Sequence, residues 1–255
     1  MKLSVILPTI RIDKLQNWYN SLINSYSDEF ELIVISPYEL PPFLKDKSNI
    51  KYINDWGSPL RAQQLALLEV GGEYIHRAVD DSLYMPDAMN KAMDKLTGAT
   101  KEVVNIKFYE GENQTHRNMA DPQFYYLQYH VNALKPYVPF DFQVINFGIY
   151  PHQLLLAVGG WNAEKYETIA FGELDLSLRL QFYGVKPILT DNIAIKVDWL
   201  PGPTGDHGPL HFAFADDEPK YTEEYSQPEC ELHSIIDINN WQKSPERWVR
   251  RFGNV

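Results

Sequence analysis

The chain has 255 residues, of which 44% are hydrophobic and 13% aromatic, with a formal net charge of −11. A chain of this size buries enough surface to need no covalent staple, and Cys230, the sole cysteine, excludes an intrachain disulfide. The negative charge argues against a general affinity for nucleic acid or an anionic membrane surface, so a polyanionic ligand would need a local cation cluster or a bound metal.

Leu3 to Leu7 is an unbroken apolar run stopped by Pro8, the pattern of a buried parallel strand. Asp13 followed by Gln16 has the form of a capping box, and Leu15, Trp18, Tyr19, Leu22, Ile23 and Tyr26 follow at helical spacing. Leu32 to Ile35 is a second buried strand, and Lys51 to Ile53 a weaker third. Ser58 then caps a helix with Pro59 in its first turn and Gly71-Gly72 at its end. A strand from Glu73 to Val79 leads directly into Asp80-Asp81, and Pro86-Asp87 opens another helix that Gly98 stops. Strand alternating with helix implies a parallel sheet covered on both faces.

Beyond residue 98 the pattern loosens. Val103 to Tyr109 and Val144 to Tyr150 are predicted strands, and Gln153 to Val158 a short helix ended by Gly159-Gly160. Glu173 to Leu180 alternates strictly, which taken alone argues for a strand. Its acids come first and its arginine last, Asp175 and Arg179 stand at i and i+4, and Gly184 supplies a stop, so a helix is expected. Lys186 to Thr190 and Ile193 to Val197 are two further strands, Pro201 to Gly208 a loop, and the acidic, aromatic tail after Phe212 is expected to be irregular until Ser244-Pro245 opens a last helix. With no evident linker, residues 1–255 are expected to form one domain, with a nucleotide-binding half (1–98), an acceptor half (99–211) and an extension (212–255).

No segment approaches the roughly 18 apolar residues of a membrane span, and the first apolar run is too short for a signal peptide. The expectation is a soluble, cytoplasmic protein, in which the sequon Asn113-Gln114-Thr115 is a chance match.

Asp80-Asp81 sits where a buried parallel strand should end, the place at which such sheets bind ligands. Adjacent carboxylates there can hold a hard divalent cation and leave coordination sites for phosphate oxygens; most acidic pairs elsewhere are merely solvated turns. No glycine-rich loop follows the first strand, which argues against a nucleotidyltransferase or a Rossmann dehydrogenase. His76, inside a buried strand, is expected to be a hydrogen-bonded core residue.

Ser4 to Thr9, Arg61-Ala62-Gln63-Gln64, Gly72 to Ile75 leading to Asp80-Asp81, Gly159-Gly160-Trp161 and Glu173 to Arg179 occur in an order that resembles family 2 glycosyltransferases of the GT-A fold. The resemblance covers roughly residues 3–190. It implies an α/β fold with a Rossmann-like, mostly parallel sheet, and a metal-dependent, inverting hexosyltransferase using Mn2+ or Mg2+ and a nucleotide-sugar donor, a UDP-sugar first. On that resemblance Pro8, Thr9, Arg11, Glu39, Arg61, Asp80 and Asp81 would bind the donor, Asp81 and His207 the metal, and Gly160 and Trp161 a glycan or other hydroxyl acceptor. The base would be Glu173 or Asp175, since a carboxylate must take the acceptor proton. Trp161 is equally well read as a core plug, and Arg61 and His207 as ordinary exposed residues. Three positions depart from the family pattern: Val79 replaces the first acid of a full DxD motif, Ser36-Pro37-Tyr38-Glu39 lacks the base-binding Asp after the second strand, and Gly172-Glu173 stands in place of Glu-Asp. They leave open a second reading, a degenerate relative that binds nucleotide or glycan without turnover.

Overall fold

A computed structural model describes residues 2–110, 142–198, 208–226, 235–241 and 246–249. Its centre is an eight-stranded sheet of order β3-β2-β1-β4-β7-β6-β8-β5. The strands are β1 (Leu3–Pro8), β2 (Phe30–Ser36), β3 (Ile50–Asn54), β4 (Tyr74–Arg77), β5 (Ser82–Tyr84), β6 (Glu102–Glu110), β7 (Gly148–Pro151) and β8 (Lys186–Val197). β1 to β4 pair in parallel, β7 runs antiparallel to both β4 and β6, and β5 runs antiparallel to β8. All seven residues of β2 and all four of β4 are buried, so neither face of the inner sheet meets water. The architecture is mixed α/β, a single eight-stranded sheet with helices between its strands.

The helices are α1 (Leu15–Ser25), α2 (Pro42–Lys45), α3 (Pro59–Leu67), α4 (Ala88–Met93), α5 (His152–Val158), α6 (Ile169–Phe182), α7 (Gly208–Tyr225) and α8 (Glu246–Val249). Ser58 caps α3 as expected, its hydroxyl accepting from Arg61 N at 3.1 Å. Asp13 does not cap α1: it lies inside a 3-10 turn, Ile12–Lys14, and α1 begins without a side-chain cap. The alternating segment is indeed helical. Thr168 caps α6, and every residue from Ala170 to Leu180 is buried, polar ones included, so the helix has no wet face in that stretch. α5 ends on Gly159, whose φ of +83° favours glycine.

Three expectations need correcting. The acidic pair leads into the short strand β5 before α4 begins. The two strands expected over 186–197 are one, with irregular pairing to β6 near Lys107. The tail after Phe212 continues the 18-residue helix α7, with Ala213, Asp217, Tyr221 and Tyr225 buried at four-residue spacing. A buried acid and Pro219, which is exposed within the helix, disguise that stripe in the sequence. Among the described residues no helix is long and apolar enough to cross a membrane.

Candidate active site

From β1 the chain crosses by α1 to β2 on one side, whereas β4 pairs on the other side of β1. The carboxyl ends of β1 and β4 therefore form a switch point, where an open parallel sheet leaves a crevice. Thr9, Ile10 and Arg11 follow β1 there, and Ala78 to Asp81 follow β4. A cleft of about 380 Å³ opens at this place.

Asp80 clasps the two loops together. Its Oδ2 accepts from Thr9 Oγ1 (2.8 Å), Ile10 N (3.1 Å) and Arg11 N (3.2 Å), and its Oδ1 pairs with the Arg11 guanidinium. Asp81 is held through its backbone, its carbonyl accepting from Asp198 N at 2.7 Å. Among the described residues the nearest cation to its carboxylate is Arg11, at 4.0 Å. Burial, then repulsion by Asp80, push the Asp81 carboxyl up to about 7 against the pull of Arg11. Its side chain keeps 18% exposure and borders the cleft.

Pro8, Thr9, Arg11, Asp80 and Asp81 all border the cleft, so five of the expected donor-site residues converge. Glu39 and Arg61 do not. Glu39 projects into solvent, paired with Lys45 at 2.8 Å. Arg61 is turned to Asp55, with Nε 3.0 Å from Oδ1, and to Trp241, whose carbonyl accepts from Nη1 at 2.5 Å and whose ring lies 5.6 Å from the guanidinium. Asp55 itself borders the cleft, just past the end of β3. It is a cleft-lining residue that sequence reasoning missed; the signal was the one used for Asp80, a carboxylate directly after a parallel strand.

Neither expected base borders the cleft. Glu173 is fully buried behind Arg77, with Oε1 accepting from Trp161 Nε1 at 3.1 Å and lying 3.2 Å from Arg77 Nε. The Arg77 contact lacks hydrogen-bond alignment, and among the described residues Glu173 Oε2 has no hydrogen-bond partner. Burial therefore outweighs both the attraction of Arg77 and the indole bond, and lifts the Glu173 carboxyl to about 7. Asp175 is tied on both oxygens, to Arg179 Nε (2.8 Å) and Tyr225 Oη (2.5 Å). The Trp161 ring is fully buried against Tyr150, and the Gly160 carbonyl accepts from Arg179 Nη2 at 2.6 Å. Neither residue, expected to meet an acceptor, borders the cleft. His207 lies outside the described residues. His76 is a core residue, bonded to Gly148 O and Tyr84 Oη.

No protein-family model and no curated protein sequence matches the chain. Solved structures do. Residues 1–349 of S. aureus TarS match with a TM-score of 0.57 at 17% identity, over 78% of this chain and 60% of that one. The same TarS fragment in complex with UDP-GlcNAc matches at 0.55 and 19%, over 79% and 60%. The mannosyltransferase PcManGT from Pyrobaculum calidifontis, in complex with GDP-Man and Mn2+, matches at 0.58 and 11%, over 98% and 72%. The fold is that of the GT-A glycosyltransferases. The chain spans only 60% of the length of the TarS fragment.

Proposed function

We propose that this protein is a glycosyltransferase that moves a sugar from a nucleoside-diphosphate donor, a UDP-sugar first, to a hydroxyl acceptor with metal assistance and inversion. One observation carries the reading: at the β1/β4 switch point Asp80 is used up in holding the loops, while Asp81 beside it faces the cleft and, among the described residues, meets only the Arg11 guanidinium, at 4.0 Å. That the structural neighbours bind UDP-GlcNAc, or GDP-Man with Mn2+, supports a nucleotide sugar as the ligand.

Asp81 suits a hard cation, because a like-charged neighbour and burial already disfavour its bare carboxylate. Among the described residues no three His, Cys, Asp or Glu side chains converge, so donor oxygens, water and His207 would complete the coordination. When bound, a divalent cation neutralises charge on the leaving diphosphate. Arg11 adds a guanidinium at the same spot. Of the two carboxylates expected as base, Glu173 is the better: it keeps an unpartnered oxygen and a carboxyl raised into the range a general base needs. It reaches an acceptor only when Arg77 turns aside.

The buried position of Glu173 also favours the second reading, a protein that binds nucleotide sugar without turnover. Thermal shifts with UDP, GDP, UDP-GlcNAc and GDP-mannose, with and without Mn2+, test the site, and release of nucleoside diphosphate tests turnover. A ligand at about 100 times its Kd adds about 2.7 kcal/mol, a rise of roughly 5–10 °C. That rise is expected to need Mn2+, to vanish with EDTA and to vanish in Asp81→Ala. No shift with any nucleotide, or a full shift in Asp81→Ala, would overturn the proposal.

A further inference from the structure

Two neighbouring glutamines on α3 are treated very differently by the fold. Leu60, Gln63, Gln64 and Leu67 share one face of the helix, and that face is turned toward α6 and Gly160: Leu60 abuts Gly172, and Leu67 abuts Gly160. Gln64 is fully bonded, donating to Gly159 O (2.8 Å) and Ile238 O (2.7 Å) and accepting from Trp161 N (2.7 Å). Gln63 is equally buried, yet among the described residues neither its Oε1 nor its Nε2 has a hydrogen-bond partner. A buried amide left unmade costs about 1–3 kcal/mol, so a fold retains one at a position where something else completes it. Gln63 borders the cleft, as does Arg77, whose Nε is ion-paired with Glu173 but makes no hydrogen bond among the described residues. No hydrogen bond among the described residues fixes the Gln63 amide, which leaves both of its polar atoms available to a ligand in the cleft.

Resting on the transferase reading, we infer that Gln63, beside Arg77, is a specificity-determining residue that binds hydroxyls of the sugar carried by the donor. The order of groups along the cleft supports this. Ile35, Pro37 and Asp55 border it at the β2–β3 end, and Asp81 and Arg11 stand at the β1/β4 junction. Arg77, Asn146 and the first turn of α6 border it beyond β4. A donor with its diphosphate at Asp81 and its nucleoside toward β2–β3 carries its sugar toward α6, the side to which the Gln63 face is turned. The chemistry agrees. A carboxamide offers a donor and an acceptor side by side, which complements the hydroxyls of a sugar ring; a phosphate, which only accepts, would leave Oε1 unused.

Gln63→Met keeps the length and bulk of the side chain and removes both polar atoms. Calorimetric binding of UDP, UDP-glucose, UDP-galactose, UDP-GlcNAc, GDP and GDP-mannose, each with Mn2+ and without acceptor, compares it with wild type. The variant is expected to melt no lower than wild type without ligand. It should bind the preferred nucleotide sugar about tenfold more weakly, as a lost hydrogen bond of ordinary strength requires, and bind the matching nucleoside diphosphate within about twofold. Equal losses for sugar and diphosphate would move the amide to the nucleoside and overturn the assignment, leaving the transferase reading intact. No loss in either would overturn it as well. Failure of wild type to bind any nucleotide would defeat both readings together, and a lower melting temperature of the free variant would show Gln63 to be an internal structural contact.

Discussion

Asp80 accepts from Thr9 Oγ1 and from two backbone N–H groups, and it pairs with Arg11 while nearly closed to solvent. Its removal leaves those donors and a guanidinium uncompensated, so Asp80→Ala is expected to cost about 2–4 kcal/mol in urea unfolding. Asp81 should behave in the opposite way. Its carboxyl is raised to about 7, so the folded protein holds that proton more tightly than the unfolded chain does. The stability this contributes is complete below the ordinary value of 3.8 and is lost as pH rises through about 7. Metal-free Asp81→Ala is therefore expected to match or exceed wild type in melting temperature at pH 8 and to lose most of that advantage at pH 5. A large fall for Asp81→Ala at pH 8 would show its carboxylate to be a structural group like its neighbour. The position of the pair was legible in the sequence, because a buried strand followed by two acids marks a sheet end. Which acid the protein itself consumes was not, since that depends on Thr9 and Arg11, some seventy residues away along the chain.

At the scale of elements, β4 shows what a polar residue inside an apolar strand can mean. His76 was expected to be a bonded core residue, and it joins β4 to β7 and β5. Gly148 O can only accept, so Nδ1 carries the proton (3.0 Å) and Nε2 accepts from Tyr84 Oη (2.9 Å). Burial, and then the charge of Arg77, press its pKa down from 6.5 to about 4, against the bond to Gly148. The stability held by the neutral ring is complete above 6.5 and is lost as pH falls toward 4, by about 3 kcal/mol at most. Unfolding free energy should accordingly fall between pH 7 and 4 by up to about 3 kcal/mol less in His76→Asn than in wild type; parallel curves would mean that other groups set the acid limit. Elements with strong periodicity or clean caps, β1, β2, α1 and α3, could be read directly. α6 could be read only by weighing charge order against an alternation that suggested a strand. Its burial on all sides from Ala170 to Leu180 could not be read, because acids and an arginine look like a wet face until Arg77, Trp161 and Tyr225 are brought against them.

For the whole molecule the least legible feature is how α7 closes the structure. Phe214 of α7 and Trp248 of α8 border the cleft, so segments far along the chain complete a site begun by β1 and β4. The contact that fixes α7 is Asp217, fully buried, whose Oδ2 accepts from Glu167 N (2.9 Å), Thr168 N (2.8 Å) and Thr168 Oγ1 (3.0 Å). Those groups stand at the amino end of α6, where backbone N–H groups lack helical partners and a negative charge is favoured. One carboxylate thus caps α6 from another helix, an arrangement no local motif announces. Asp217→Ala leaves three donors unmade and is expected to cost about 3 kcal/mol; Asp217→Asn, which keeps an acceptor but no charge, should cost about half of that. Amide exchange distinguishes this docking role from a merely local one. In Asp217→Ala, exchange should quicken both in the first turn of α6 and along Gly208–Tyr225, because each element is the other's partner. Quickening confined to residues 167–171, with α7 still protected, would mean that the aromatic contacts of Phe171 with Phe214 and Tyr221 hold the helix without Asp217. Acceleration of both would show that the cleft wall and the helix bearing Glu173 are stabilised by the same buried charge.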